Sequence, residues 1–335
     1  MFVFTKSTST QLTEYKMCGM PILKIKNTET SIKKYFLGIQ FKCIHKSAEQ
    51  INSSFYKYFS QLYPYEKATN VQVILNHIGE AVIYARTLPF WLKKDSIVVA
   101  TLKSHSEIFK MFAPEQKVLL VDRKKYPVRL ETSFSKNGQN FTAVLFDEKL
   151  REMNDSHLSF WKNWEKYLNA DFTKLKFSKA LISEQDRQNV QEKLRQKGLN
   201  LQNLVLFFPK AQSIDNMPPV FWKNLEKKLR QRGFEILYNS NEFSLAEIYV
   251  LAKKVKAIIG MRSGVFDMLC ELKTPQFVIY GHNSYHNDLQ PMYSLFNFPF
   301  ASQNNIFEYN NLNENADEIL DDILKHITKE GNNGL

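Results

Sequence analysis

Ile258-Ile259-Gly260-Met261-Arg262-Ser263-Gly264-Val265-Phe266-Asp267-Met268-Leu269 is the stretch on which the fold turns. An apolar strand, Ala257 to Ile259, runs into Gly260. Arg262, Ser263 and Gly264 then precede a short helix expected from Gly264 to Leu272. A short apolar run followed by a helical pattern is the unit of a parallel sheet covered by helices. The unit recurs on both sides. Upstream stand strand Leu204 to Phe208, helix Pro219 to Arg232 ended by Gly233, and strand Phe234 to Tyr238. Helix Leu245 to Lys253 follows, capped by Ser244 with Glu247 in the capping-box position. Downstream lie strand Phe277 to Tyr280 and a closing amphipathic helix, Asn315 to Lys329.

Farther upstream the same alternation starts at Val71. Strands are expected at Val71–Leu75, Ile97–Ala100, Val118–Val121 and Phe141–Phe146, and helices at Glu80–Trp91, Ser104–Phe112 and His157–Leu168. A polar stretch, Ser183 to Gln188, opens the helix that leads into the second series. The reading is therefore two α/β domains, 71–178 and 179–335, joined near 175–200. Residues 1–70 differ: Pro21 to Lys26 and Lys34 to Lys42 read as a β-hairpin about a polar turn at Asn27–Thr30, with a helix from Ala48 to Leu62.

With 335 residues and 44% apolar composition, each domain can bury a core, which excludes wholesale disorder. No apolar run approaches the roughly 18 residues of a membrane helix, and Met1 to Ser7 lacks a secretory pattern. Three scattered cysteines, Cys18, Cys43 and Cys270, exclude a disulfide scaffold and a zinc knuckle. A cytoplasmic setting is expected. The net charge of +11 favours anionic partners, but the basic residues are dispersed and no nucleic-acid module is present. An alternative is that the charge reflects only a lysine-rich genome.

Ligands of doubly wound sheets bind beyond the carboxyl ends of the strands. In the first domain that position holds Asn76-His77-Ile78-Gly79-Glu80. Glu80, at a helix start, is a candidate base for an incoming hydroxyl; the alternative is a first-turn acid that only complements the helix dipole. His77 is a second, weaker candidate. In the second domain Arg262, Ser263 and Gly264 could cradle a phosphate, or Arg262 could pair with Asp267 and merely fix the loop. Lys210, in Pro209-Lys210-Ala211-Gln212-Ser213, offers a cation at the same edge. No Walker loop, Gly-x-Gly-x-x-Gly fingerprint or Asp-x-Asp motif occurs. Asp321-Asp322 reads as a solvated helix face, and His282 with His286 lacks a third metal ligand.

The order Phe208-Pro209-Lys210, Phe221-Trp222, Gly233-Phe234, Ser244-Leu245-Ala246-Glu247, then Arg262-Ser263-Gly264-Val265-Phe266-Asp267 resembles the nucleotide-sugar domain of bacterial GT-B glycosyltransferases. The heptosyltransferase-like group of capsule and lipopolysaccharide synthesis is the nearest match. Arg262 stands where that family usually has Asp, and Asp267 where it has His. Gly79-Glu80 and Leu88-Pro89 look like the family's Gly-Asp and the Leu-Pro that ends the following helix, with Glu80 at the place of the proposed base. The segment Lys34 to Ile39 is similar to N-terminal segments of such enzymes.

The resemblance implies an α/β fold of two Rossmann-like domains facing a cleft, preceded by the hairpin and helix. It implies transfer of a sugar from a nucleotide sugar to a carbohydrate or lipid-linked saccharide, without a metal or other cofactor. Glu80 would be the base. Lys210, Ser213, Arg262, Ser263, Gly264 and Asp267 would surround the diphosphate, and Phe243 and Ser244 the base and ribose. Peripheral attachment to the inner membrane face through Lys24, Lys26, Lys33, Lys34, Phe36 and Leu37 is a further expectation. The rivals are a relative that hydrolyses or epimerises a nucleotide sugar, and a non-catalytic nucleotide-sugar or polysaccharide-binding partner in capsule assembly.

Overall fold

In this computed structural model, hydrogen bonding sorts the strands among the described residues into three five-stranded sheets. The structure describes residues 4–8, 12–17, 20–27, 31–36, 39–74, 77–91, 96–100, 103–121, 130, 133–143, 159–212, 214–239, 242–282, 293–310 and 315–329. Two compact units divide the chain. One comprises Met1–Asn76, Leu92–Ser106 and Gln116–Arg151; the other comprises His77–Trp91, Glu107–Glu115 and Glu152–Leu335. Among the described residues no helix is long and apolar enough to cross a membrane.

The first unit opens with β1 (Phe4–Thr8), β2 (Leu12–Met17), β3 (Met20–Asn27), β4 (Ser31–Phe36) and β5 (Ile39–His45), each antiparallel to the next. The expected single hairpin is thus a five-stranded meander, and the run from Lys34 to Lys42 is divided between β4 and β5. Tyr35-Phe36-Leu37-Gly38-Ile39 is almost continuously apolar, so hydrophobic periodicity carries no mark of the break.

Helix α1 (Ala48–Leu62) forms where expected, with Ser47 and Gln50 closing a capping box. It sends Ile51, Phe55 and Phe59 into a core shared with Val71 and Val73 of β6 (Asn70–Ile74), Ile97 of β7 (Ser96–Ala100) and Phe141 of β10 (Gln139–Ala143). Phe141 meets Phe59 and Phe55 edge-on at 5.2 and 5.7 Å. The sheet runs β8 (Val118–Leu120), β7, β6, β10, β9 (Phe134–Lys136). It is parallel except for the β9–β10 hairpin. That hairpin turns through Asn137 and Gly138, at φ 50° and 78°, which is the dipeptide a two-residue turn with left-handed backbone selects. The strand expected at Phe141–Phe146 starts earlier, at Gln139, and 144–146 lie outside the described residues.

Helix α2 (Ile78–Trp91) belongs to the second unit, whereas α3 (Lys103–Phe112) is divided between the two. The second unit continues with α4 (Phe160–Leu168), α5 (Glu184–Lys197), α6 (Pro219–Gln231), α7 (Leu245–Ala252), α8 (Gly264–Leu269) and α9 (Ala316–Lys329). Its sheet has the order β12 (Glu235–Tyr238), β11 (Leu204–Phe208), β13 (Ala257–Met261), β14 (Gln276–Tyr280), β15 (Ile306–Asn310), parallel throughout.

Every residue of β11, β13 and β14 is buried, as continuous apolar runs in a two-sided sheet require. Alternate residues Val205, Phe207, Ala257, Ile259, Phe277 and Ile279 pack against Trp222, Leu225 and Leu229 of α6 and Ile323, Leu324 and Ile327 of α9. Gly260 pairs with Phe208, and a Cβ there would lie 2.5 Å from that of Phe208, so a larger residue would push the two strands apart. Strand β15 is absent from the sequence reading because Glu308 and Asn310 interrupt its apolar pattern.

Candidate functional site

In the second unit the chain leaves β11 for β12 on one side and returns to β13 on the other. The crevice where a doubly wound sheet takes a ligand therefore opens between the carboxyl ends of β11 and β13. Two loops meet that edge: Pro209-Lys210-Ala211 after β11, and Arg262-Ser263 after β13. Lys210 is exposed. Ser213 lies outside the described residues. The loop between them is held by Asn216, whose Oδ1 accepts from the Ala211 N–H at 2.7 Å. Asp215 donates its N–H to the His282 carbonyl at 2.8 Å.

Arg262 is only 9% exposed, and Asp267 6%. The guanidinium donates from Nη2 to Asp267 Oδ1, from Nη1 to the Ser263 carbonyl at 2.8 Å, and from Nε to the Tyr293 carbonyl at 3.3 Å. The loop-fixing ion pair is thus formed. Burial opposes the charge of Arg262, but Asp267, with Tyr280 and Glu308, holds the guanidinium above its ordinary value. Burial likewise pushes the Asp267 carboxyl up, against the pull of Arg262.

Glu80 sits in the first turn of α2, half-exposed, its Oε2 accepting from the His77 N–H at 3.2 Å. The start of α2 lies directly on the start of α8. A Cβ on Gly264 would fall 2.3 Å from the Gly79 nitrogen, and one on Gly79 would fall 2.2 Å from Asp267 Oδ2. Only two glycines permit this approach, which sets Glu80 beside the Arg262–Asp267 loop. Tyr293 closes the group: burial raises its phenol, the charges of Glu80 and Asp267 raise it further, and Arg262 opposes them. Glu80 is therefore a neighbour of Arg262, Ser263, Gly264 and Asp267, although more than 180 positions separate it from them in sequence.

Phe243 and Ser244 stand at the start of α7. Phe243 is 6% exposed, with the Lys193 ammonium 5.1 Å from its ring centre. Ser244 caps α7, its Oγ accepting from the Glu247 N–H at 3.2 Å while Glu247 Oε2 accepts from the Ser244 N–H at 2.8 Å. His282 has its Nδ1 3.5 Å from Asp215 Oδ2, and His286 lies outside the described residues. Asp322, read as solvated, accepts from the Tyr309 hydroxyl at 2.9 Å. Among the described residues no three His, Cys, Asp or Glu side chains stand close enough to share a metal ion. A cavity of about 370 Å³ in the first unit, bordered by Tyr56, Tyr63, Glu66 and Asn137, includes none of the expected residues.

Two supports went unread in the sequence. Glu308 accepts from the Tyr280 hydroxyl at 2.6 Å, the Ser294 hydroxyl at 2.7 Å and the Leu295 N–H at 2.6 Å, fixing the segment that carries Tyr293. Arg86 of α2, with no exposed side-chain surface, makes a two-pronged pair with Glu271 at 2.5 and 3.1 Å. Its guanidinium lies over the rings of Phe300 and Phe112, at 4.1 and 4.2 Å, and Tyr249 donates to Glu271 at 2.7 Å. The only sequence signals were an acid inside an apolar strand and an arginine inside an apolar helix.

No protein-family model matches the sequence, and no curated protein matches it. Solved structures are similar to it. A glycosyl transferase family 9 protein from Veillonella parvula superposes with a TM-score of 0.50 at 13% identity, over 78% of this chain and 91% of that one. The Escherichia coli ADP-heptose lipopolysaccharide heptosyltransferase II gives 0.45 at 10% identity, over 78% and 99%. The E. coli heptosyltransferase WaaC with ADP gives 0.44 at 12%, also over 78% and 99%. The chain thus has the α/β fold of a family 9 glycosyltransferase, as the resemblance in its motifs implied.

Proposed function

We propose that the protein is a glycosyltransferase that moves a sugar from a nucleotide sugar to a carbohydrate or lipid-linked saccharide in bacterial capsule or lipopolysaccharide synthesis. The observation that carries this reading is the meeting of Glu80 with the Arg262–Asp267 loop, beside the switch point of the second sheet. Glu80 takes the proton of the acceptor hydroxyl as its oxygen attacks the anomeric carbon. The bond from that carbon to the diphosphate breaks, and its electron pair leaves with the phosphate oxygen. Lys210 and Ser263 stabilise the growing charge, and Arg262 with Asp267 holds Ser263 in place. No metal is assigned to this step, and the reaction is read as taking place in the cytoplasm.

Glu80→Gln keeps an oxygen for the His77 N–H but removes the base. It is expected to lower transfer by a factor of about 10² to 10⁴ without weakening nucleotide binding, as read by donor turnover and calorimetry. A second reading, a non-catalytic nucleotide-sugar-binding partner, draws on the engagement of Arg262 with Asp267, Ser263 and Tyr293. It predicts binding with no turnover for Glu80→Gln to remove.

A further inference from the structure

Among the described residues of the N-terminal meander, no side chain is fully buried on either face. Leu12–Lys16, Ile22–Ile25 and Ile32–Tyr35 are all half-exposed, and no described side chain before Ile51 is buried. An antiparallel sheet draws its stability from covering at least one face, so its exposed apolar positions are where a partner would be expected to add cover.

One end of the sheet is apolar. Phe36 pairs with Leu23 on one side and Ile39 on the other, and Phe36 and Ile39 are 56% and 75% exposed. Behind that rung the sheet is basic. Lys24 pairs with Tyr35 and Ile25 with Lys34, with Lys33 next along β4. Lys16 stands opposite Pro21 near the same end. Glu14 is the acid among them, 3.3 Å from Lys24 and 3.5 Å from Lys16; hydrogen bonding to Lys24 holds its carboxyl below the ordinary value. Residues 1–46 contain eight lysines against two glutamates, so about a seventh of the chain carries +6 of its +11 net charge.

We propose that this end of the meander docks on an anionic bilayer. Phe36 and Ile39 enter the headgroup region, and Lys16, Lys24, Lys33 and Lys34 meet the lipid phosphates. An apolar tip backed by long cationic side chains suits that boundary, because the stems stay in the apolar zone while the charges reach the headgroups. A second copy of the chain fits less well, since stacking two such sheets opposes +6 to +6. The inference does not rest on glycosyl transfer, and its test involves no turnover.

The test is co-sedimentation of the full chain with vesicles of equal phosphatidylglycerol and phosphatidylcholine, against phosphatidylcholine alone. Binding to the anionic vesicles alone is expected. It should weaken about fivefold for each of Lys24→Ala and Lys33→Ala, and about tenfold or more for the double variant Phe36→Asp/Ile39→Asp. Both apolar residues are exposed, so that variant is expected to keep the circular dichroism of the parent. Equal binding to neutral vesicles, or anionic binding indifferent to Phe36→Asp/Ile39→Asp, overturns the proposal. So does a dimer in sedimentation velocity that this variant dissociates, with no vesicle binding by the parent.

Discussion

Gly79 and Gly264 decide the geometry at the scale of single residues. Their backbones touch, so any side chain at either position must force α2 and α8 apart. Gly264→Val is expected to lower the denaturation midpoint and to abolish transfer together, because it displaces Glu80 from the loop it faces. Arg262 behaves differently. Removing it leaves the buried Asp267 carboxylate unpaired, a loss of about 3 to 5 kcal/mol. Exchanging both partners for apolar residues, as in Arg262→Met with Asp267→Leu, should recover most of that loss in urea denaturation. A pair with no coupling, in which the double variant is as unstable as the sum of the single ones, would contradict this. Both roles of Arg262 are legible in the short run Arg262 to Asp267, since Asp267 lies one helical turn after Ser263. Tyr293 could not, because only the folded chain brings a residue 26 positions beyond Asp267 against it.

At the scale of elements, caps and two-sided strands were legible and reversals were not. Ser244 with Glu247 was read as a capping box and forms one; Ser244→Ala should cost about 1 kcal/mol in chemical denaturation. Strands β11, β13 and β14 announced themselves because each is an unbroken apolar run. The break between β4 and β5 falls inside such a run, while the Asn137-Gly138 dipeptide carries a strong hairpin signal that the strand expectation at Phe141–Phe146 does not use. Helix α2 was read as a helix, but its anchor was not. Arg86 connects it to Glu271 and to the rings of Phe112 and Phe300, so Arg86→Ala should lose about 3 to 5 kcal/mol. Because Glu80 rides on the same helix, transfer should fall with it.

At the scale of the whole molecule, charge governs the response to acid and to ligands. Burial works against the charge of Glu66, but the Lys117 ammonium at 2.6 Å and the Ala68 N–H outweigh it and hold the carboxyl below its ordinary value. Burial also opposes Glu226, and Tyr238 with Arg230 prevails there. Carboxyls lowered on folding stabilise the protein above their unfolded pKa, and that contribution fades as pH falls through the folded one. Stability should therefore decline below about pH 4.5, and Glu66→Gln should flatten the decline in denaturation series across that range. The central claim is that the edge of the second sheet holds a nucleotide diphosphate. The measurement that tests it most directly is calorimetric titration with ADP, GDP, UDP and CMP, repeated on Lys210→Ala, whose exposed side chain can be removed without unpairing a buried charge. One nucleotide should bind, adding about 2.7 kcal/mol of stability at a hundredfold excess over Kd, and Lys210→Ala should weaken it about tenfold or more. Failure of every nucleotide to bind, or an affinity indifferent to Lys210→Ala, would contradict the claim.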